Sequence, residues 1–248
     1  MVITMNSDTQ AILNQETIEE VINLVPPGAT IALGNGPGIN QIITALSKIR
    51  GAIDGVICSR AWSNARLEKN GLMTLNPNET TEIDLYIDFA PQATKSFNLN
   101  VSLDKELLQK KYFANVANQF ICITEQKGLV ARLGEQPVAL EVLPFARSHV
   151  ARYCTILNMR VHWDSEHVSE FGNPIMLLED LEINEPAKME MDLERITGVL
   201  ACSIFSMDPP DIVIVNNEDS AQVMHNHVSR IFKSTKSKCT SGFYGLFH

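Results

Sequence analysis

Two places in this sequence combine residue types that could do chemistry: a glycine-rich turn, Gly34-Asn35-Gly36-Pro37-Gly38, and an aspartate, Asp88, at the end of an apolar run. A turn that feeds a helix can hold an anion, because unpaired backbone N–H groups and the positive end of the helix dipole meet there. Gly34, Asn35, Gly36 and Gly38 are the candidate contacts. Glycines also serve tight turns that bind nothing, and the spacing alone leaves both readings open. A dinucleotide fingerprint matches poorly, since its third glycine would fall at Ile39, and Ser59 and Arg60 stand where a ribose-binding acid belongs. No Gly-Lys-Ser/Thr follows, which excludes a triphosphate loop. Asp88 falls at the carboxyl end of a predicted strand, the edge at which open α/β sheets bind ligands; a turn-capping role is its alternative. No metal site is expected. His225 and His227 lie two apart on a segment read as helix, hence on different faces, and His149, His162 and His167 lack a Cys or carboxylate partner at ligand spacing. Trp62 and Trp163 read as packing residues.

Regular elements must position these residues. Ile18, Val21, Ile22 and Val25 recur at helical spacing before Pro26-Pro27-Gly28 stops the helix. Residues 30–33 read as a buried strand, and Ile39, Ile42, Ile43, Leu46 and Ile49 as the buried stripe of the helix after the glycine turn. The alternation continues with strand 55–58, helix 62–70, strand 84–88, helix 103–117 and strand 120–124, which predicts a mostly parallel sheet covered on both faces. Past about residue 134 the order changes to strand 137–144, helix 147–157, and strands 160–163, 175–179 and 198–205 around helix 187–196. A strand at 211–215 and a helix at 219–232 close the pattern. The expected class is α/β: a Rossmann-like, mostly parallel sheet domain (1–134 plus 206–233) with an inserted smaller α+β domain (135–205) and a basic, aromatic tail (234–248) read as a frayed terminus.

Composition sets the outer limits. With 248 residues, 45% hydrophobic and 20% charged, the chain can bury one large core or two small ones and is unlike a disordered polymer. A net charge of −9 argues against nucleic acid as a partner. No apolar run reaches the roughly 18 residues of a membrane span, and the first residues lack the basic and apolar regions of a signal peptide. Five cysteines without a C-x-x-C pair read as reduced thiols, so a cytoplasmic protein without a membrane partner is expected. The charge is uneven: four basic and no acidic residues follow residue 224, dividing the −9 into −13 and +4.

The middle of the chain carries a resemblance. Phe120-Ile121-Cys122-Ile123-Thr124, Leu133-Gly134 and Pro137-Val138-Ala139-Leu140-Glu141-Val142-Leu143-Pro144-Phe145-Ala146-Arg147 closely resemble the central segment of type A ribose-5-phosphate isomerases. Gly34-x-Gly36 falls where that family has G-T-G-S-T, Asp88-x-Ala90 where it has D-G-A-D-E, and Phe171-Gly172-Asn173 resembles its N-G-N turn. Ser59 and Ser63 match the family's loop after the second strand, as substrate-binding candidates, although a serine there also serves as a helix N-cap. Spacings agree from about residue 26 to 215. The resemblance implies the interrupted Rossmann-like fold, a sugar phosphate as small-molecule partner, no metal or organic cofactor, and a homodimer or homotetramer.

It also implies a reaction of the pentose phosphate pathway. The family interconverts ribose 5-phosphate and ribulose 5-phosphate by moving a proton between C1 and C2 through an enediolate. That chemistry requires a carboxylate base, a cation or acid for the developing oxyanion, and a phosphate anchor. Aligned without a gap from Asp88 to Phe120, this chain keeps only Asp88 of those residues. The second Asp and the Glu of D-G-A-D-E become Pro91 and Gln92, K-G-G-G becomes Val101-Ser102-Leu103-Asp104, and the base becomes Lys110. A lysine, with an ordinary pKa of about 10.4, is protonated near neutral pH and cannot accept a carbon-bound proton without strong desolvation. In the phosphate loop Ser and Thr become Pro37 and Gly38, and a further family lysine becomes Gly128, beside Lys127.

Each general acid–base group contributes on the order of 10² to 10⁴ in rate, so losing the base alone is severe. The leading expectation is a weakly active or non-catalytic homologue that binds a sugar phosphate. A second reading is an active aldose–ketose isomerase in which a slip of one to four residues brings Asp104, Lys105 or Glu106 into the cleft. Charged residues at a helix start are ordinarily solvated, which weighs against that slip. A third is an interaction protein whose ancestral cleft is empty and whose basic tail contacts a partner.

Overall fold

The computed structural model describes residues 13–36, 38–58, 64–101 and 105–227. Helix α1 (Gln15–Asn23) is capped by Asn14, whose side chain accepts from Thr17 N at 2.7 Å, and leads to strand β1 (Ala29–Leu33). Helix α2 (Ile39–Lys48), strand β2 (Ile53–Cys58), helix α3 (Asn64–Lys69) and strand β3 (Leu85–Phe89) follow. After two short strands, β4 (Gln92–Thr94) and β5 (Leu99–Asn100), come helix α4 (Leu107–Val116), strand β6 (Gln119–Glu125) and the short β7 (Leu129–Val130). The chain then runs through β8 (Val138–Val142), α5 (Arg147–Ile156), β9 (Arg160–Val168), β10 (Pro174–Glu179), α6 (Pro186–Glu194) and β11 (Val199–Cys202). It ends in β12 (Ile204–Phe205), β13 (Ile212–Asn216) and β14 (Ala221–His225).

Six strands form the central sheet in the order β14-β13-β6-β3-β1-β2, parallel except for β14. The expected largely parallel α/β sheet is therefore present. Its strands are continuous apolar runs because both faces are covered, and successive side chains go to opposite cores. Ile31, Leu33, Leu85, Ile87, Ile121, Ile123, Ile212 and Ile214 pack with the apolar faces of α1 and α2. Ala32, Tyr86, Phe120, Cys122, Val213 and Val215 pack on the other side with Leu107, Phe113 and Ala114 of α4. A four-stranded antiparallel sheet, β11-β8-β10-β9, shares a third core with α5 and α6. The short strands form a sheet of their own, β12-β5-β4-β7.

The helix expected at 219–232 is a correction. Residues 221–225 instead form β14, antiparallel to β13 after a turn closed by Asn217 N donating to Ser220 O at 2.9 Å. Ala221 and Val223 alternate onto the apolar core, so period-2 packing at the sheet edge overrides the weak helical pattern. The remainder of that expected helix, the tail at 234–248, and residues 59–63 and 102–104 lie outside the described residues.

Candidate active site

The strand order reverses at β1, which has β2 on one side and β3 on the other, so the carboxyl ends of β1 and β3 border the crevice where such sheets bind ligands. Gly34 and Asp88 meet there. Asp88 is 1% exposed, and its Oδ2 accepts the Tyr86 hydroxyl at 2.6 Å. Tyr86 precedes it by two residues on the same strand face, with its ring stacked on Phe120 at 4.7 Å between centroids. Across the crevice α4 presents Lys110, also 1% exposed. Its ammonium lies 3.3 Å from both Asp88 oxygens and donates to the carbonyl of Asn35 at 3.2 Å.

The turn's glycines answer to this packing. A Cβ on Gly34 would run into the Asp88 carboxylate, and one on Gly36 would fall 2.6 Å from Phe89 Cβ. Gly38 begins α2 in the left-handed region at φ 87°. Gly34 N is committed to Ile87 O at 2.8 Å, while the Asn35 carbonyl faces the Lys110 ammonium. Cys122, the register neighbour of Asp88 on β6, is fully buried, and burial followed by the Asp88 charge holds its thiol well above the usual range.

Helix α4 is fixed from two sides. The buried Glu141 carboxylate on β8 accepts Leu108 N at 3.2 Å and Asn173 Nδ2 at 2.8 Å, capping the first turn and tying it to the 169–173 turn. The next lysine along from Lys110, Lys111, points the other way. It meets Glu190 at 2.7 Å, Glu194 at 3.1 Å and the Ile204 carbonyl at 2.6 Å, and stands 4.2 Å over the Phe205 ring. Burial opposes its charge, but Cys202, Glu190 and Glu194 around it prevail and raise its pKa.

The comparisons with known proteins bear on this arrangement. The profile of ribose 5-phosphate isomerase A (phosphoriboisomerase A) matches residues 55–220, two thirds of the chain. The chain belongs to the ribose 5-phosphate isomerase A family. Among solved structures, it is similar to ribose 5 phosphate isomerase A from Neisseria gonorrhoeae, with a TM-score of 0.80 and 27% identity over 86% of this chain and 99% of that one. A D-ribose-5-phosphate isomerase in complex with phospho-erythronic acid matches with a TM-score of 0.77 at 24% identity, covering 85% and 96% of the two chains. The isomerase of Methanocaldococcus jannaschii gives 0.75 at 22%, covering 85% and 97%.

The fold thus brings together Gly34, Asn35, Gly36 and Asp88, with Gly38 at the start of α2; Ser59, Ser63 and Asp104 lie outside the described residues. Three of the positions at which the resemblance implies a changed residue, 92, 101 and 128, are closely packed. Val101, expected from the resemblance where the family has its cation, is 2% exposed and belongs to the apolar core. Gln92 is buried and accepts from Asn100 Nδ2 at 3.4 Å. At Gly128 a Cβ would come within 2.6 Å of the Pro91 carbonyl oxygen, so no lysine side chain fits there. Lys127 is 86% exposed and pairs with Glu125 instead.

The expected solvation of the charged run needs correction at one residue. Glu106 is only 3% exposed, one turn before Lys110 on the same helix face, where the start of α4 is held inside by Leu107 in the apolar core and by Leu108 N on the Glu141 carboxylate of β8. Its charge and that of Glu170 add to burial in raising the Cys58 thiol to about 11. Lys105 stays exposed, its carbonyl accepting from Glu170 N at 2.8 Å. Among the described residues no cluster of His, Cys, Asp or Glu could hold a metal ion. Tyr86 and Lys111 are not singled out by the sequence, and Glu141 only as part of the run that carries the resemblance; for Tyr86 the i, i+2 spacing from Asp88 is the available signal.

Proposed function

We propose that this member of the ribose 5-phosphate isomerase A family is a sugar-phosphate-binding homologue with little or no isomerase turnover. The observation that carries the reading is the Lys110 ammonium, bound to the Asp88 carboxylate and the Asn35 carbonyl at the position the family gives to its base. An ammonium has three donors and no lone pair, so it cannot take the C1 or C2 proton. It also engages the one aspartate that survives. Binding is supported by the family, by the glycine turn at the start of ten-residue α2, and by the relative of similar fold captured with phospho-erythronic acid. The same reading takes 135–205 as an inserted domain in a cytoplasmic homodimer or homotetramer.

A coupled isomerase assay on purified protein tests catalysis: turnover of ribose 5-phosphate at an ordinary enzymatic rate, about 1 to 10³ per second, overturns the proposal. A thermal shift tests binding. Ribose 5-phosphate or ribulose 5-phosphate at about 100 times its Kd stabilises the native state by about 2.7 kcal/mol, and no shift at millimolar ligand points to an empty cleft. The burial of Glu106 favours one second reading, an aldose–ketose isomerase with Glu106 as its base. On that reading turnover is measurable and Glu106→Gln abolishes it.

A further inference from the structure

A groove of about 270 Å³ runs between α4 and α6, on the side of α4 away from Asp88. It is walled by Lys111, Tyr112, Glu190, Glu194, Met207 and Asp208, three carboxylates against one ammonium. Tyr112 is 47% exposed and Met207 54%, so the groove also offers apolar surface to solvent. Its volume falls below the roughly 300 to 1,000 Å³ usual for small-molecule sites and suits a side chain better than a substrate.

The C-terminal segment has the complementary character. Residues 228–248 hold Arg230, Lys233, Lys236 and Lys238 with no acid, and the aromatics Phe232, Phe243, Tyr244 and Phe247. Its starting point is beside the groove. Asn226 N donates to Asp211 O at 2.8 Å and Asn226 Nδ2 to Pro210 O at 3.1 Å. Pro210 is two residues from Asp208, a separation of at most about 7 Å along the chain. The 21 residues after His227 can extend to about 70 Å, many times what is needed.

We infer that the groove between α4 and α6 is the docking site of this chain's own C-terminal segment, an aromatic side chain lying against Tyr112 and Met207 and lysines facing Glu194 and Asp208. Attachment at residue 227 makes the contact intramolecular, so that weak, salt-sensitive pairing suffices to hold it. The inference is independent of the reading of the Asp88 crevice.

The test is zero-length carbodiimide cross-linking of the full-length chain at low salt, with peptide mapping. A mixture of isotopically light and heavy protein separates links within a chain from links between chains. The expected result is light–light and heavy–heavy links from Lys233, Lys236 or Lys238 to Glu194 or Asp208, lost in the full-length triple variant Lys233→Glu, Lys236→Glu, Lys238→Glu and at 1 M salt. Mixed light–heavy links show that a second copy occupies the groove and overturn the inference. Links spread over other carboxylates, or no link at all, overturn it as well.

Discussion

Removing either partner of the Asp88–Lys110 pair leaves the other buried without that counterion, and the size of the effect follows from the geometry. At 3.3 Å and an effective dielectric of about 20, the attraction is about 5 kcal/mol, set against several kcal/mol of desolvation for each ion. The intact pair is therefore close to neutral in stability, whereas breaking it is not. Asp88→Asn leaves a buried ammonium, and Lys110→Met leaves a buried carboxylate with the Tyr86 hydroxyl still donating to it. Each single variant is expected to lose about 3 to 5 kcal/mol of unfolding free energy. The double variant keeps the volume and removes both charges, so it should lie within about 2 kcal/mol of the parent. Urea denaturation at pH 7 measures all four proteins, and the cycle should give a coupling of about 3 kcal/mol or more. Single variants that each cost under 1 kcal/mol, with additive effects, would refute the argument that this pair is buried and mutually dependent.

Three further outcomes are expected. Gly34→Ala forces a methyl group into the Asp88 carboxylate and should lower stability by about 1 to 3 kcal/mol in thermal or urea unfolding, whereas Gly51→Ala, with open space around it, should be close to silent. Lys111→Met leaves Glu190 and Glu194 without their cation, and a loss of about 3 kcal/mol should appear together with faster amide exchange along α4. Burial raises the Cys202 thiol from 9.0 to about 12, so the unfolded chain releases a proton that the native state keeps. That contribution is complete below pH 9 and is lost as pH rises from about 9 toward 12, at up to about 1.4 kcal/mol per pH unit, and Cys202→Ala should flatten this part of the stability profile.

The sheet was legible because its strands are buried on both faces. Apolar runs such as those of β1 and β6 stand out against the amphipathic helices between them. Strands β5, β7 and β12, two residues each, have no period to detect, and their pairing is decided by contacts distant in sequence, such as Ile204 with Asn100. At 221–225 edge pairing with β13 decided the conformation, a choice that local spacing does not carry. In the site, the substitution at Lys110 was readable as a change of charge, but the Asn35 carbonyl as its acceptor was not. Glu106 ran against the rule that charged residues at a helix start are solvated, because that rule describes a free helix end and this one is packed against a sheet.

The ion pair also constrains the routes by which sequences of this kind can change. A single Lys110→Glu substitution would place a carboxylate at that position, yet it sets two acids side by side in a buried site, where only one of them can readily ionise. Val101, packed in the apolar core, likewise could not take a charge without a cost in stability. Each single step away from the pair leaves one buried charge without its counterion and is expected to fold less stably. The pair thus acts as a lock: neither charge can change alone without leaving the other buried and uncompensated by it.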